Sequence, residues 1–183
     1  MNTTIDTRIV RNKSITMLLA VAVSVLLPQL FHAVGAVSGL GAALGSTFLP
    51  MHLPVLLAGL IAGPVVGVAA GAASPLLSFA LSGMPAAAML PFMMIELAGY
   101  GLAAGLLSKV NLPVFVKVVI AQLAGRLVRA AALLFAIYAV GNTGISVAQT
   151  WNIVLTGLPG ILLQWALIPL LLYRLDGVKK YYE

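Results

Sequence analysis

The chain reads as an all-α integral membrane protein of six transmembrane helices with N and C termini both cytoplasmic, and three observations carry that reading. Of its 183 residues, 62% are hydrophobic and only 8% are charged, and the mean hydropathy is +1.12. A soluble domain of this length needs a polar surface that such a composition cannot supply. The apolar residues gather into runs near the roughly 20 residues that cross a bilayer core as a helix. Finally, when the runs are threaded as six spans, every Lys and Arg outside them falls on one side. Arg8, Arg11 and Lys13 precede the first run, Lys109 and Lys117 bracket the break at Asn111-Leu112-Pro113, and Arg174, Lys179 and Lys180 follow the last. The alternate loops around 35–50, 82–86 and 141–150 contain neither residue. Such a bias sets orientation during insertion. Five spans would put the C-terminal cluster on the wrong side, so six is the consistent count.

The spans are expected at about 14–34, 52–63, 64–82, 86–108, 113–140 and 151–173, within a single membrane domain covering 1–183. The first follows basic residues, as a secretory signal would, and Ala33-Val34-Gly35 is a passable cleavage site. Because the rest of the chain is itself membrane-embedded, an uncleaved first span is the expectation. The run from Leu53 to Leu81 is too long for one span and is divided at Gly63-Pro64. Proline disfavours helix in the residue before it and starts helices well, so this pair predicts a tight turn. Pro75 is expected to kink the third span after Ser74. The first external loop, roughly Gly35 to Pro50, is long and rich in Gly, Ala and Ser, which suits a lid or binding loop. It leads into Leu49-Pro50-Met51-His52-Leu53-Pro54, where two prolines stiffen the entry to the second span.

Small residues punctuate the spans. Gly59, Gly63, Gly67 and Gly71 recur every four residues, Gly101 and Gly105 repeat the device in the fourth span, and Ala20 with Ser24 offers a milder form in the first. At this spacing helix backbones approach closely in lipid. The glycine series serves either packing inside the bundle or docking of another membrane subunit; Ala20 and Ser24 suit the docking role better, since an outer helix needs a smooth patch.

Three ionisable side chains lie far from any interface: Glu96 in span four, Arg126 and Arg129 in span five. An ionisable group at mid-membrane is expensive and marks a functional site by default. At about 1.5 Å per residue, Glu96 lies roughly 15 Å below the outer end of its span, and Arg126 about 18 Å above the inner end of its own. The depths overlap, so an interhelical Glu–Arg pair is feasible, and Arg126 and Arg129 share a helix face. Two cations against one carboxylate tilt the site toward an anionic or electron-rich ligand; the alternative is a purely structural pair.

Other candidate ligand contacts gather near the outer ends of spans: His52, Asn142, Thr143, Gln149, Trp151 and Asn152. Trp151 has the simpler role of interfacial anchor, and Asn142 beside Gly141 also suits loop chemistry. Gln164 and Trp165 lie mid-span and either contact a ligand or bridge helices. His32 reads as interfacial. With two histidines, no cysteine and no acidic cluster, a metal site is not expected. No cofactor motif and no nucleic-acid signature is present, since the net charge of +6 is a collar rather than a patch interleaved with aromatics. Enzyme signatures are missing too: there is no Gly-x-x-x-x-Gly-Lys phosphate loop, no HExxH and no Gly-x-Ser-x-Gly elbow.

In its ordered features the chain resembles the substrate-binding S component of energy-coupling factor (ECF) vitamin transporters. The likeness runs through Phe48 to Gly59 (FLPMHLPVLLAG), Gly63-Pro64, Ser74-Pro75, Ser82 to Pro85 (SGMP), Glu96 to Gly101 (ELAGYG) and Gly125-Arg126-Leu127. The resemblance implies a multi-pass protein of the cell membrane, in bacteria the cytoplasmic one, that captures a vitamin or related micronutrient at its outer face using loops one, three and five with helices four to six. It also implies partners: a membrane coupling subunit and two ATPase subunits that drive uptake. In the family the coupling subunit docks on an Ala-x-x-x-Ala pattern of helix one. Here the matching positions are Ala20 and Ser24, a change that preserves close packing. Two other classes stand beside this reading. A stand-alone small-solute transporter or channel would need polar residues in both leaflets, and the inner half is nearly devoid of them. A structural assembly subunit explains the glycines but not Glu96, Arg126 and Arg129.

Overall fold

The structure is a computed structural model that describes residues 7–41, 43–141, 144 and 146–182, with the backbone alone described at 7–12, 147, 149–151, 153 and 176–182. Eight helices form among these residues: α1 (Thr7–Ser38), α2 (Ala43–Phe48), α3 (His52–Ala62), α4 (Pro64–Ser82), α5 (Leu90–Leu107), α6 (Val114–Tyr138), α7 (Val147–Thr156) and α8 (Leu158–Tyr182). Six segments are long and apolar enough to cross a membrane, with α2 and α3 together making the second. The helix ends near Lys13, Lys109 and Lys117 are called the lysine end below, and the opposite ends, with α2 and α7, the loop end.

Local chemistry explains the boundaries. At Gly63, φ is +92°, a conformation that L side chains rarely adopt, and its N–H bonds the Gly59 carbonyl at 2.9 Å to close α3. Pro64 then opens α4, where a missing N–H costs nothing. The α4 helix continues through Pro75 to Ser82, and the Ser74 hydroxyl donates to the Ala70 carbonyl at 2.6 Å in the adjoining turn. Two regions depart from the sequence reading. The first external loop is shorter than expected because α1 runs on to Ser38 and a six-residue helix occupies 43–48. The sixth span does not begin at 151: Gly157 forms a turn between α7 and α8, and the crossing segment is Leu158–Leu175. Pro159, second in α8, initiates a helix there rather than continuing the preceding one.

The centre of the bundle is α3, α4, α5 and α6, and glycine makes it possible. A Cβ on Gly67 would collide with the backbone of Gly101, one on Gly71 with Leu97, and one on Gly105 with Pro64. The glycine series therefore packs inside the bundle, with α4 backbone against α5 backbone. The core beside it is built from Val55, Leu56, Leu97, Tyr100, Ala104, Val118, Ala121 and Ile168. Ala20 and Ser24 also face inward. Ala20 packs with Ala58, Val66 and Ala70, and Ser24 is fully buried. Their small size lets α1 approach α3 and α4 of its own chain; Ser24 is closed off there, while Ala20 also borders a groove at the lysine end.

Candidate ligand-binding site

The polar centre is set by one close helix approach. Gly99 of α5 meets Gly125 of α6, where a Cβ on the first would stand 3.2 Å from the Cα of the second. A side chain at Gly125 would also run into the Tyr100 ring, 2.6 Å from its Cε1. The two helices are antiparallel, so one turn toward the loop end from this contact brings Glu96 and Arg129 to the same level. Arg129 Nη1 donates to Glu96 Oε2, the sole ion pair among the described residues. The Tyr100 hydroxyl donates to Glu96 Oε1 at 2.9 Å, and the His52 ring lies 5.3 Å from the Tyr100 ring, tilted by 57°. Both carboxylate oxygens of Glu96 are occupied, at 1% exposure. A buried pair is tolerated only when such additional hydrogen bonds complete it.

A second network holds the neighbouring turn. The Trp165 indole donates to Gln122 Oε1 at 2.6 Å, Gln122 Nε2 to Gln164 Oε1 at 2.8 Å, and Gln164 Nε2 to the Leu49 carbonyl at 3.2 Å. The same carbonyl accepts the His52 N–H at 3.1 Å. Leu49 adopts φ +49°, a conformation unfavourable for a residue with a branched side chain, and these bonds from α8 and α3 hold it there.

Above both networks, at the loop end, opens a mostly apolar cavity of about 490 Å³. Its floor carries His52 and Arg129. Pro28 and His32 of α1 and Ser46 of α2 form one wall, Met84, Pro85 and Met93 another, and Asn152 with Thr156 of α7 stands at the side. Two buried nitrogens at the floor, His52 Nδ1 and Arg129 Nε, have no hydrogen-bond partner among the described residues.

The expected site residues therefore separate. His52, Arg129 and Asn152 line the cavity. Glu96 lies beneath it as the partner of Arg129. Arg126 is one turn away on α6, half-buried, outside the lining, with its Nε unpartnered among the described residues. Gln164 bridges α6 and the Leu49 turn and does not reach the cavity. Asn142 and Thr143, and the side chains of Gln149 and Trp151, lie outside the described residues. Sequence reasoning missed Tyr100, which sits four residues from Glu96 and so on its face, and Gln122, at the same spacing from Arg126. His32, read as interfacial, lines the cavity wall from α1. Among the described residues no group of His, Cys, Asp and Glu could hold a metal ion.

No curated protein and no solved structure matches this chain. The model of one family does, over residues 12–172: the substrate-specific component of ECF transporters. These components are transporter subunits rather than enzymes, multi-pass in the cell membrane, and work with a membrane-embedded ECF module and a small-molecule substrate. With nearly the whole length matched and six membrane-crossing segments in place, the chain belongs to the ECF transporter substrate-specific component family.

Proposed function

We propose that this substrate-specific component captures a vitamin-sized micronutrient from the external side in the cavity at the loop end, for uptake driven by ATPase partners. The supporting observation is the cavity itself: about 490 Å³, with apolar walls and His52 and Arg129 on its floor. Small-molecule sites have this size and this sparse polarity. The floor narrows the ligand's chemistry. Glu96 neutralises Arg129, so the site favours a neutral or singly anionic molecule over a polyanion. Arg129 Nε and His52 Nδ1 would meet one polar edge of it. The thioethers of Met51, Met84 and Met93 suit a flat ring. Asn152 and Ser46 supply further polar contacts near the α2 and α7 cover.

Energy has to come from elsewhere, because the chain carries no phosphate-binding loop. Purified protein should retain its ligand through detergent extraction, identifiable by mass spectrometry, yet fail to accumulate it in proteoliposomes. Concentrative uptake by the isolated chain would refute the dependence on ATPases, and a chain that retains no small molecule would refute capture. Orientation is tested separately. The native sequence has no cysteine, so cysteines at Gly39 and Gly83 should react with an impermeant reagent from outside, and one at Asn111 should not.

A further inference from the structure

We propose that a groove at the lysine end is a binding site for an anionic phospholipid, with the headgroup on Lys13, Lys109 and Lys117 and an acyl chain along the apolar floor. Two contiguous cavities of about 700 and 790 Å³ share Thr16, Leu60, Ile61 and Ser108. The inner one is walled by α1 on one side and Leu172 and Leu175 of α8 on the other, with Leu53 and Leu57 of α3 beneath. Lys117 stands at its base and donates from Nζ to the Ser108 carbonyl at 3.2 Å, which fixes the ammonium and leaves donors free. The outer one is rimmed by Lys13 and Lys109.

Dimensions and polarity agree with that occupant. From Lys13 to Val23 the groove follows α1 for ten residues, or about 15 Å. That is half of the roughly 30 Å hydrocarbon core, hence one leaflet. Lys13, Lys109 and Lys117 lie at headgroup level, and beyond the turn that carries Thr16 the lining is apolar. Basic pockets between membrane helices hold anionic headgroups in this way, and lysine binds phosphate as a compact charge. No carboxylate lines either cavity among the described residues. The groove opens at the lysine end, away from the mouth of the ligand cavity, and shares no lining residue with it.

The test is lipid retention in nanodiscs of phosphatidylcholine containing a minority of phosphatidylglycerol, read by native mass spectrometry and lipid extraction. The wild-type chain should carry phosphatidylglycerol enriched over the bulk ratio. Each of Lys13→Gln, Lys109→Gln and Lys117→Gln should cut that enrichment by about fivefold. The triple Gln variant should return to the bulk ratio, while the triple Arg variant keeps the enrichment. Melting in pure phosphatidylcholine discs reports folding. If the triple Gln variant does not fold, Lys13→Gln and Lys109→Gln decide alone, since both side chains are exposed. Unchanged enrichment in the Gln variants, or equal retention of both lipids by the wild type, overturns the proposal. A two-chain species without bound lipid also overturns it, and gives the groove to a second copy.

Discussion

The two halves of this molecule are joined by different means. In α3, α4, α5 and α6 the helices meet backbone to backbone at Gly59–Gly101, Gly67–Gly101, Gly71–Leu97 and Gly99–Gly125. By contrast α8 is tied to α6 and to the turn after α2 through the Gln122, Gln164 and Leu49 hydrogen bonds, with one close backbone approach, Gly160 against Phe48. The share of buried residues follows: 39% in the most apolar stretches of α4 and of α5, against 17% in that of the sixth span. In lipid, water expulsion does not draw helices together, so close packing decides which contacts are firm. The cavity lies where the firm half meets the loosely held one, and its charged floor belongs to the firm half.

Gly101→Leu attacks this contrast hardest. Its side chain would be driven into Gly67, and we expect loss of folded protein in detergent, read by size exclusion; a monodisperse variant would break the comparison. Gly101→Ala should still be destabilising by about 3 kcal/mol, at the upper end for overpacking. Next comes Glu96→Gln, which leaves Arg129 without its counter-charge at a cost of about 3–5 kcal/mol in melting. Arg129→Lys keeps the charge and loses the forked donor, so ligand affinity should fall while the fold survives. Arg126→Lys, outside the cavity lining, should change affinity less than Arg129→Lys does. The reverse order would move the site down α6.

Gln164→Leu is smaller in stability and sharper in meaning. It frees the Leu49 turn and leaves Gln122 unmatched, costing about 1–3 kcal/mol. Because His52 hangs from the same turn, ligand dissociation should accelerate beyond what the stability loss explains. Unchanged dissociation would detach the Leu49 turn from the cavity floor. At the mild end, Leu170→Ala on the exposed side of α8 should shift stability by no more than about 0.5 kcal/mol. A large loss there would mean that α8 is as firmly packed as α5.

The sequence made the crossing helices and the Glu96–Arg129 pair legible for simple reasons. Hydropathy reports burial in lipid directly, Gly63-Pro64 is a strong local break, and depth along two helices needs only the helical rise. What stayed hidden depends on rotation and on partners distant in the chain. Helix α1 is apolar on all sides, so nothing in its pattern showed that Ala20 and Ser24 point inward. The α2 helix was concealed by Gly, Ala and Ser, a composition that equally describes a loop. The break at Gly157 was missed although Leu158-Pro159 carries the same kind of signal as Gly63-Pro64, because the apolar run continues across it. The Gln122–Gln164–Leu49 chain joins residues 42 and 115 positions apart, and no local pattern anticipates that.

The contact between Gly67 and Gly101 also bears on how such a protein diversifies. Positions where a methyl group already collides accept almost no substitution, so the scaffold is frozen by its own closeness. Variation is left to Ser46, Met84, Asn152 and Thr156, which line the cavity and are not themselves among the residues those glycines meet. A new substrate preference can therefore arise through changes in α2, the loop after α4 and α7, with the charged floor inherited unchanged.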